Sequence, residues 1–269
     1  MSTDDAGMNK PFLYEHPLSP YAQKNKIALR EKGVAFDCGT PDGMGAGGAA
    51  GDFVAANPRA EVPTLVDGEA RIFDSTIIQD YIEERWPLPA LLPATPAARA
   101  RVRMIEEVMD TQYEAVVWGM MEVRVFGRAA GAAGEALIAR AEEQIAGLNT
   151  WLARQLGDAD WFNGDHFGWG DIAVVPFVMG AVGFGAPPTG TLSAWLARCL
   201  ARESVATTSA EAKAAAVVVA QVVPAAIASG QFKREYRDHR LEWMIRSGGI
   251  EVLVEGMTAG NIRFSTELG

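Results

Sequence analysis

The sequence predicts an α+β chain of two domains, a small strand-and-helix domain followed by an all-helical one with a carboxy-terminal extension. Three observations point there. Short apolar runs alternate with capped helix starts between residues 10 and 88, a proline-punctuated stretch follows from Trp86 to Pro96, and beyond residue 97 apolar residues recur at three- and four-residue steps. The length of 269 residues suits two modest cores, taking roughly 150 residues per domain as a prior. A hydrophobic share of 49% with 22% charged residues is that of a globular chain. The net charge of -10 offers no basic footprint for nucleic acid and would be repelled by anionic membrane surfaces.

The first element is the apolar strand Pro11-Phe12-Leu13-Tyr14, followed by Leu18-Ser19-Pro20-Tyr21-Ala22-Gln23-Lys24. Proline is favoured at the first helical position because its missing N–H would be unpaired there, which makes Ser19 the N-cap. A hydroxyl at a positively polarised helix end can hold a thiolate or carboxylate; the plainer reading is that Ser19 only caps its own helix. Lys32-Gly33 is the stop, since glycine readily takes the left-handed conformation, and Val34 to Cys38 suits a second strand. The loop from Gly39 to Gly48 contains a G-x-G-x-x-G spelling. It reads as flexible loop, because a dinucleotide fingerprint must lead tightly from strand to crossover helix and Pro41-Asp42 interposes a turn.

In Asn57-Pro58-Arg59-Ala60-Glu61-Val62-Pro63-Thr64-Leu65-Val66 a proline stands just before a strand-like run. It is compatible with a cis Val62–Pro63 turn that exposes the Val62 backbone, and equally with an ordinary edge-strand proline. Arg71 to Pro87 reads as a strand running into a helix capped by Asp74 or Ser75, a second helix N-terminus offered to an anion.

In the second half, Val102, Ile105, Met109, Tyr113, Val116, Met120 and Val123 form one long amphipathic stripe. Leu137 or Ile138, Ala141, Ile145, Leu148 and Leu152 mark its antiparallel partner. Gly168 stands at a helix cap with Asp171 three residues on to bond back to it, a weaker cap than serine would give. Phe232 to Arg246 is a charged amphipathic helix candidate stopped at Ser247-Gly248-Gly249, and Ile250 to Met257 a further short element. This tail reads either as an added helical layer or as a cover over the site's mouth. The most hydrophobic run, Val217 to Ala228, falls short of the roughly 20 residues a membrane span needs. The polar, acidic stretch Met1 to Lys10 has no signal-peptide core. Cys38 and Cys199 make no disulfide framework and favour a reducing cytoplasm. His16, His166 and His239 show no triad context, and no cluster has metal-ligand spacing.

A strand with a serine-started helix, a Val-Pro turn between strands, then Asp-Ser opening another helix resembles the amino-terminal half of glutathione transferases. Trp161-Phe162-Asn163-Gly164-Asp165 leading to Gly170-Asp171-Ile172-Ala173 extends the resemblance to that superfamily, serine type, over nearly the whole chain. The resemblance implies a thioredoxin-like glutathione-binding domain over 10–88, an all-α helical domain with its extended tail over 97–269, and a homodimer. It implies glutathione as co-substrate, with Ser19 donating to the thiolate, Val62 before Pro63 pairing its backbone with the cysteinyl unit, and Asp74 and Ser75 holding the γ-glutamyl end. Tyr113, Trp118 and Met121, with Trp169 nearby, would line a pocket for a small-molecule hydrophobic, aromatic electrophile. Three positions depart from the family: Gly168 where serine or threonine is usual, Glu61 where lysine or glutamine is common, and Asp74 where glutamate or glutamine is common. Glu61 and the missing basic residue before the second helix leave room for the alternative of a binding or interaction protein on the same fold, while Ser19, Val62-Pro63 and Asp74-Ser75 argue against it.

Overall fold

A computed structural model describes residues 10–44, 49–230 and 232–264. The stretch 45–48 of the glycine-rich loop lies outside them.

The amino-terminal half runs β1 (Phe12–Tyr14), α1 (Pro20–Glu31), β2 (Asp37–Gly39), α2 (Asp52–Ala56), β3 (Thr64–Asp67), β4 (Ala70–Phe73) and α3 (Ser75–Arg85). The sheet order is β2-β1-β3-β4, with β1 parallel to β2 and antiparallel to β3, and β3 antiparallel to β4. This is the thioredoxin-like arrangement. The register pairs Leu13 with Leu65, both fully buried, so the sheet's apolar face is fixed against α1 and α3. Ile27, Leu29, Ile78 and Ile82 cover that face from the two helices. Because β3 is an interior strand, Pro63 is no edge proline: it sits one residue ahead of the ladder, in a cis bond with Val62.

The linker from Trp86 to Thr95 contains a second cis bond, Leu88–Pro89. It is pinned to the first domain by Glu83, whose carboxylate accepts the N–H groups of Leu91 at 3.0 Å and Leu92 at 3.1 Å and pairs with Lys32 Nζ at 2.5 Å.

The second half comprises α4 (Pro96–Val108), a π turn (Met109–Tyr113), α5 (Glu114–Arg124), α6 (Gly131–Leu156), α7 (Trp169–Gly183), α8 (Gly190–Leu200) and α9 (Glu203–Ala228). Val102, Ile105, Met109, Tyr113, Val116 and Met120 are all buried, with α4 packed on α7 and α5 on α6, which contributes Leu137, Ala141, Ile145 and Leu152 to the core. The stripe is therefore core, but the helix that carries it is not continuous. The wide turn at Met109–Tyr113 shifts the register in mid-course, a feature that often accompanies functional sites.

Gly168 precedes α7 in an extended conformation. A Cβ there would lie 2.0 Å from Asn163 Nδ2 and 2.4 Å from the Leu91 carbonyl oxygen, which explains why serine is excluded. Asn163 takes over part of the cap: its Oδ1 accepts the Gly170 N–H at 3.0 Å, and its Nδ2 donates to Leu91 O at 2.6 Å. Asp171 completes it, accepting from Gly168 N at 3.1 Å, Phe162 N at 2.9 Å and Trp195 Nε1 at 2.7 Å. Burial pushes the Asp171 carboxyl up to about 6 despite those donors.

The tail is more elaborate than one amphipathic helix. β5 (Arg234–Glu235) pairs in parallel with β6 (Ile262–Arg263), and between them lie α10 (Asp238–Arg246) and α11 (Ile250–Thr258). The helix starts only at Asp238 because Arg234 N and Tyr236 N donate to the chain around β6. α10 lies on α5, where Trp243 occupies the space left by a missing side chain: a Cβ on Gly119 would come within 2.1 Å of the ring. Trp243 Nε1 donates to Gln144 Oε1 at 2.6 Å. Arg240 Nε donates to Glu114 at 3.1 Å, and Glu122 pairs with Arg234 and with Arg128 at 2.9 Å.

Candidate functional site

The thioredoxin-like half and the tail enclose a cavity of about 650 Å³. One wall is Asn57, Arg59, Glu61, Val62, Pro63, Asp74 and Ser75, with Tyr21 from the first turn of α1. The other is Asp110 and Thr111 of the π turn, with Tyr236, Arg237, Asp238, His239, Leu241 and Phe264 of the tail.

Local hydrogen bonding builds the first wall. Asn57, buried at the end of α2, uses its Nδ2 to donate to Glu61 O at 2.7 Å and Thr64 Oγ1 at 3.0 Å, while its Oδ1 accepts Arg59 N at 3.0 Å. The five-residue loop is thereby closed on itself, and Val62 is presented at the cavity through the cis bond. Asp74 adopts a φ of 77°, a conformation few side-chain-bearing residues take and asparagine or aspartate most readily. Its Oδ1 accepts Thr76 N at 3.0 Å and Ile77 N at 3.4 Å, capping α3. Ser75 follows, buried, with its carbonyl held by Asn25 Nδ2 at 2.9 Å. Of the residues singled out in the sequence, Val62, Pro63, Asp74 and Ser75 thus meet on one surface.

Ser19 is outside the cavity's lining; Tyr21, two residues on, is the part of this turn that lines the cavity. Ser19 Oγ accepts Ala22 N at 3.3 Å, and the cap is completed by Gln23 N donating to Ser19 O at 3.0 Å. Accepting from the backbone leaves the hydroxyl hydrogen available for a second partner.

Tyr113, Trp118 and Met121, expected from the sequence as pocket residues, are not in the lining of this cavity. Tyr113 is buried in the bundle and donates to Asn149 Oδ1 at 3.1 Å. Trp118 is buried edge-on against Tyr236, with ring centroids 4.6 Å apart, and is covered by the guanidiniums of Arg234 and Arg240. Met121 packs against the core on the same helix. Trp169, also buried, donates Nε1 to Glu106 Oε2 at 2.5 Å. Asp110 and Thr111, within the π turn itself, line the cavity, while Trp118 packs against Tyr236, which is itself a lining residue.

Behind the cavity a buried cation joins the two domains. Lys24 Nζ donates to Glu106 Oε1 at 2.8 Å and Asp110 Oδ2 at 2.7 Å, Thr76 Oγ1 to Glu106 at 3.0 Å, and Tyr21 Oη to Asp110 O at 2.6 Å. Burial drives the Asp110 carboxyl up to about 7, against the pull of Lys24. Glu114 goes the other way. Burial opposes its charge, but Arg240 and His239 outweigh it and hold the carboxyl at about 2. Sequence reasoning gave no site role to Lys24, Asp110 or the tail's Arg237, and weighed His239 only for a triad. Their type was visible, but their placement depends on long-range contacts, across 86 positions in the case of Lys24 with Asp110. Among the described residues no group of three His, Cys, Asp or Glu could hold a metal ion, and no helix is long and apolar enough to cross a membrane.

Comparison with known proteins matches the chain to the glutathione S-transferase N-terminal domain over residues 13–90 and to the C-terminal domain over 135–198. It is 31% identical to glutathione S-transferase U28 of Arabidopsis thaliana over 210 residues, 72% of this chain and 86% of that one. A stringent starvation protein A homolog of Coxiella burnetii is 42% identical over 93 residues, 35% of this chain, and the match spans less than half (43%) of that relative. Among solved structures, a glutathione S-transferase from Rhodospirillum rubrum F11 superposes with a TM-score of 0.64 at 26% identity, over 74% of this chain and 91% of that one. The chain belongs to the glutathione transferase superfamily, an enzyme family whose co-substrate is glutathione.

Proposed function

We propose that glutathione lies along the first wall of the cavity and that its thiolate attacks a hydrophobic, aromatic electrophile held against the second. The observation that carries this reading is the convergence of the cis Val62–Pro63 turn and the Asp74–Ser75 helix start on one cavity. An extended peptide can pair with the Val62 backbone as an added strand would, and the α3 N-terminus favours the γ-glutamyl carboxylate. Asp74 is the anionic partner for the γ-glutamyl ammonium. A free thiol has a pKa of about 8.5, and the thiolate is the nucleophile. Ser19 donates its O–H to that sulfur at the α1 N-terminus, lowering the pKa by hydrogen bonding and by the helix dipole. Tyr21, Tyr236, Leu241 and Phe264 supply the apolar surface for the second reactant, in place of Tyr113, Trp118 and Met121.

The domains act as a glutathione-binding unit (10–88) and a helical unit with its tail (97–269) that completes the electrophile site. Met104 on α4 and Ile77 on α3, 69% and 57% exposed, lie on the face through which we place a homodimer; a monomeric mass at micromolar concentration would contradict it. Cys38 and Cys199 are free thiols, in keeping with a cytoplasmic protein. A second reading, an interaction protein on this fold, is favoured by the starvation-protein match and by exposed Val217, Val218 and Val222 on α9.

The experiment is an absorbance titration of the thiolate in the glutathione complex. The expected thiol pKa is below that of free glutathione, rising in Ser19→Ala while binding persists. An unperturbed pKa in the wild-type complex favours the interaction protein.

A further inference from the structure

The two walls of the cavity meet at a single carboxylate. Glu61, directly before Val62, is 9% exposed, and its Oε2 receives Arg59 Nη2 at 2.9 Å and Arg237 Nη2 at 2.8 Å. One guanidinium comes from the loop of the thioredoxin-like domain and the other from the tail. The Glu61 carboxyl also shares a hydrogen bond with Glu235, which Arg263 Nη2 holds at 2.6 Å. Burial, then the Glu235 contact, raises the Glu61 carboxyl to about 7 against Arg237 and Arg59.

Arg237 is built in on every other side. Its guanidinium carbon lies 5.5 Å from the Tyr21 ring centroid, and its chain neighbour Tyr236 packs edge-on against Trp118. α10 behind it is fixed by Trp243 at Gly119 and by Arg240 at Glu114. Among the described residues its buried Nε has no hydrogen-bond partner, standing 3.6 Å from Glu235 Oε1. Planar guanidiniums are suited to carboxylates because their donors are arranged as a fork. Here two of them, Arg59 and Arg237, converge on one carboxylate oxygen at the wall of a ligand-sized cavity. Ion pairing in a largely desolvated position contributes little net stability, so holding the fold does not by itself account for the arrangement.

We propose that Arg59 and Arg237 form a carboxylate-binding position in the cavity, and that Glu61 is an internal carboxylate that exchanges there with the carboxylate of an incoming ligand. The tail thereby supplies half of an anion clamp. The inference rests on the reading of the cavity as a glutathione transferase site, and the ligand carboxylate has two sources there, the glycyl end of glutathione or an acidic electrophile.

The test uses the full-length protein and two pairs of probes. Calorimetry compares glutathione with γ-glutamylcysteine, which lacks the glycyl carboxylate. Tryptophan quenching and turnover compare chlorodinitrobenzoate with neutral chlorodinitrobenzene. Glu61→Gln removes the competing charge and is expected to tighten the carboxylate-bearing member of one pair about tenfold, whereas Arg237→Ala weakens it about tenfold or more, as expected for a charge-assisted hydrogen bond. The pair that shows these opposite shifts identifies the source, and its carboxylate-free member stays within about twofold. Shifts of the same sign in the two variants, or equal shifts with and without the carboxylate, overturn the proposal. Arg237→Lys, which keeps the charge without the fork, is expected to be intermediate and is read if Arg237→Ala does not fold. A wild-type protein that binds neither glutathione nor γ-glutamylcysteine would overturn the proposed function instead. The clamp is then decided on chlorodinitrobenzoate quenching alone, where opposite shifts support it and their absence overturns it.

Discussion

The two walls of the cavity are made by different means. The thioredoxin-like wall is assembled from short-range devices: Asn57 closes its own loop through Glu61 O and Thr64, Asp74 caps the helix it starts, and the Val62–Pro63 bond sits between neighbouring elements. The tail wall is assembled across the chain. Trp243 needs Gly119 and Gln144, Arg240 needs Glu114, and Arg237 needs Glu61, which is 176 positions earlier in the numbering (237 − 61). The first wall is therefore fixed by sequence neighbourhood, and the second by how well a distant segment docks.

The sharpest way to break that contrast is to undock the tail. Trp243→Ala empties the space over Gly119 and is expected to cost about 3–5 kcal/mol, measured as a shift of the urea midpoint. It should also loosen binding of the second reactant more than binding of glutathione. Equal loss of both would mean that the two walls are not separable.

Acidification probes the same docking through charge. The Glu114 carboxyl stands at about 2 in the folded protein against an ordinary value near 4.5. Its contribution is present above about 4.5 and is lost as the pH falls toward 2. The upper bound is about 3 kcal/mol by linkage. Wild type should lose tail docking over that window, followed by Trp243 fluorescence, whereas Glu114→Gln should show little dependence there. A wild-type profile that is flat between these limits would remove Glu114 from the account.

What the sequence made legible follows the same division. Ser19-Pro20, Asn57 through Pro63 and Asp74-Ser75 declare themselves because capping and X-Pro geometry depend on the residue and its immediate neighbours. The helical stripe from Val102 to Met120 was legible from its period, and it is core. The period could not reveal the π turn at Met109–Tyr113, since one additional residue in a turn leaves apolar spacing nearly intact. For that reason Tyr113, Trp118 and Met121 read as pocket residues from the sequence while Asp110 and Thr111 occupy the wall. The tail's charged residues were visible too, but a run of arginines alternating with carboxylates reads as a solvated helix face until its partners Glu61, Glu114 and Glu122 are brought against it.

Gly168 offers a smaller test of local reasoning. On capping preference alone, Gly168→Ser would stabilise the start of α7. Asn163 and the Leu91 carbonyl already occupy that space, so the substitution is expected to destabilise by about 1–3 kcal/mol through overpacking. A raised melting temperature would show that Asn163 yields. The smallest expected effect is that of Tyr113→Phe. It removes one hydrogen bond to Asn149 and should cost about 1 kcal/mol, with turnover unchanged, because Tyr113 faces the bundle and not the cavity. A fall in turnover beyond the loss of folded protein would return Tyr113 to the site.

The central claim is that thiol activation belongs to Ser19 at the start of α1 and choice of electrophile to the second wall. The most direct measurement is kcat/KM for a panel of neutral and acidic aryl halides with Ser19→Ala and Leu241→Ala. Ser19→Ala is expected to lower every member by a common factor, and Leu241→Ala to change their ranking. A reordered panel in Ser19→Ala, or a uniform fall in Leu241→Ala, would contradict the account.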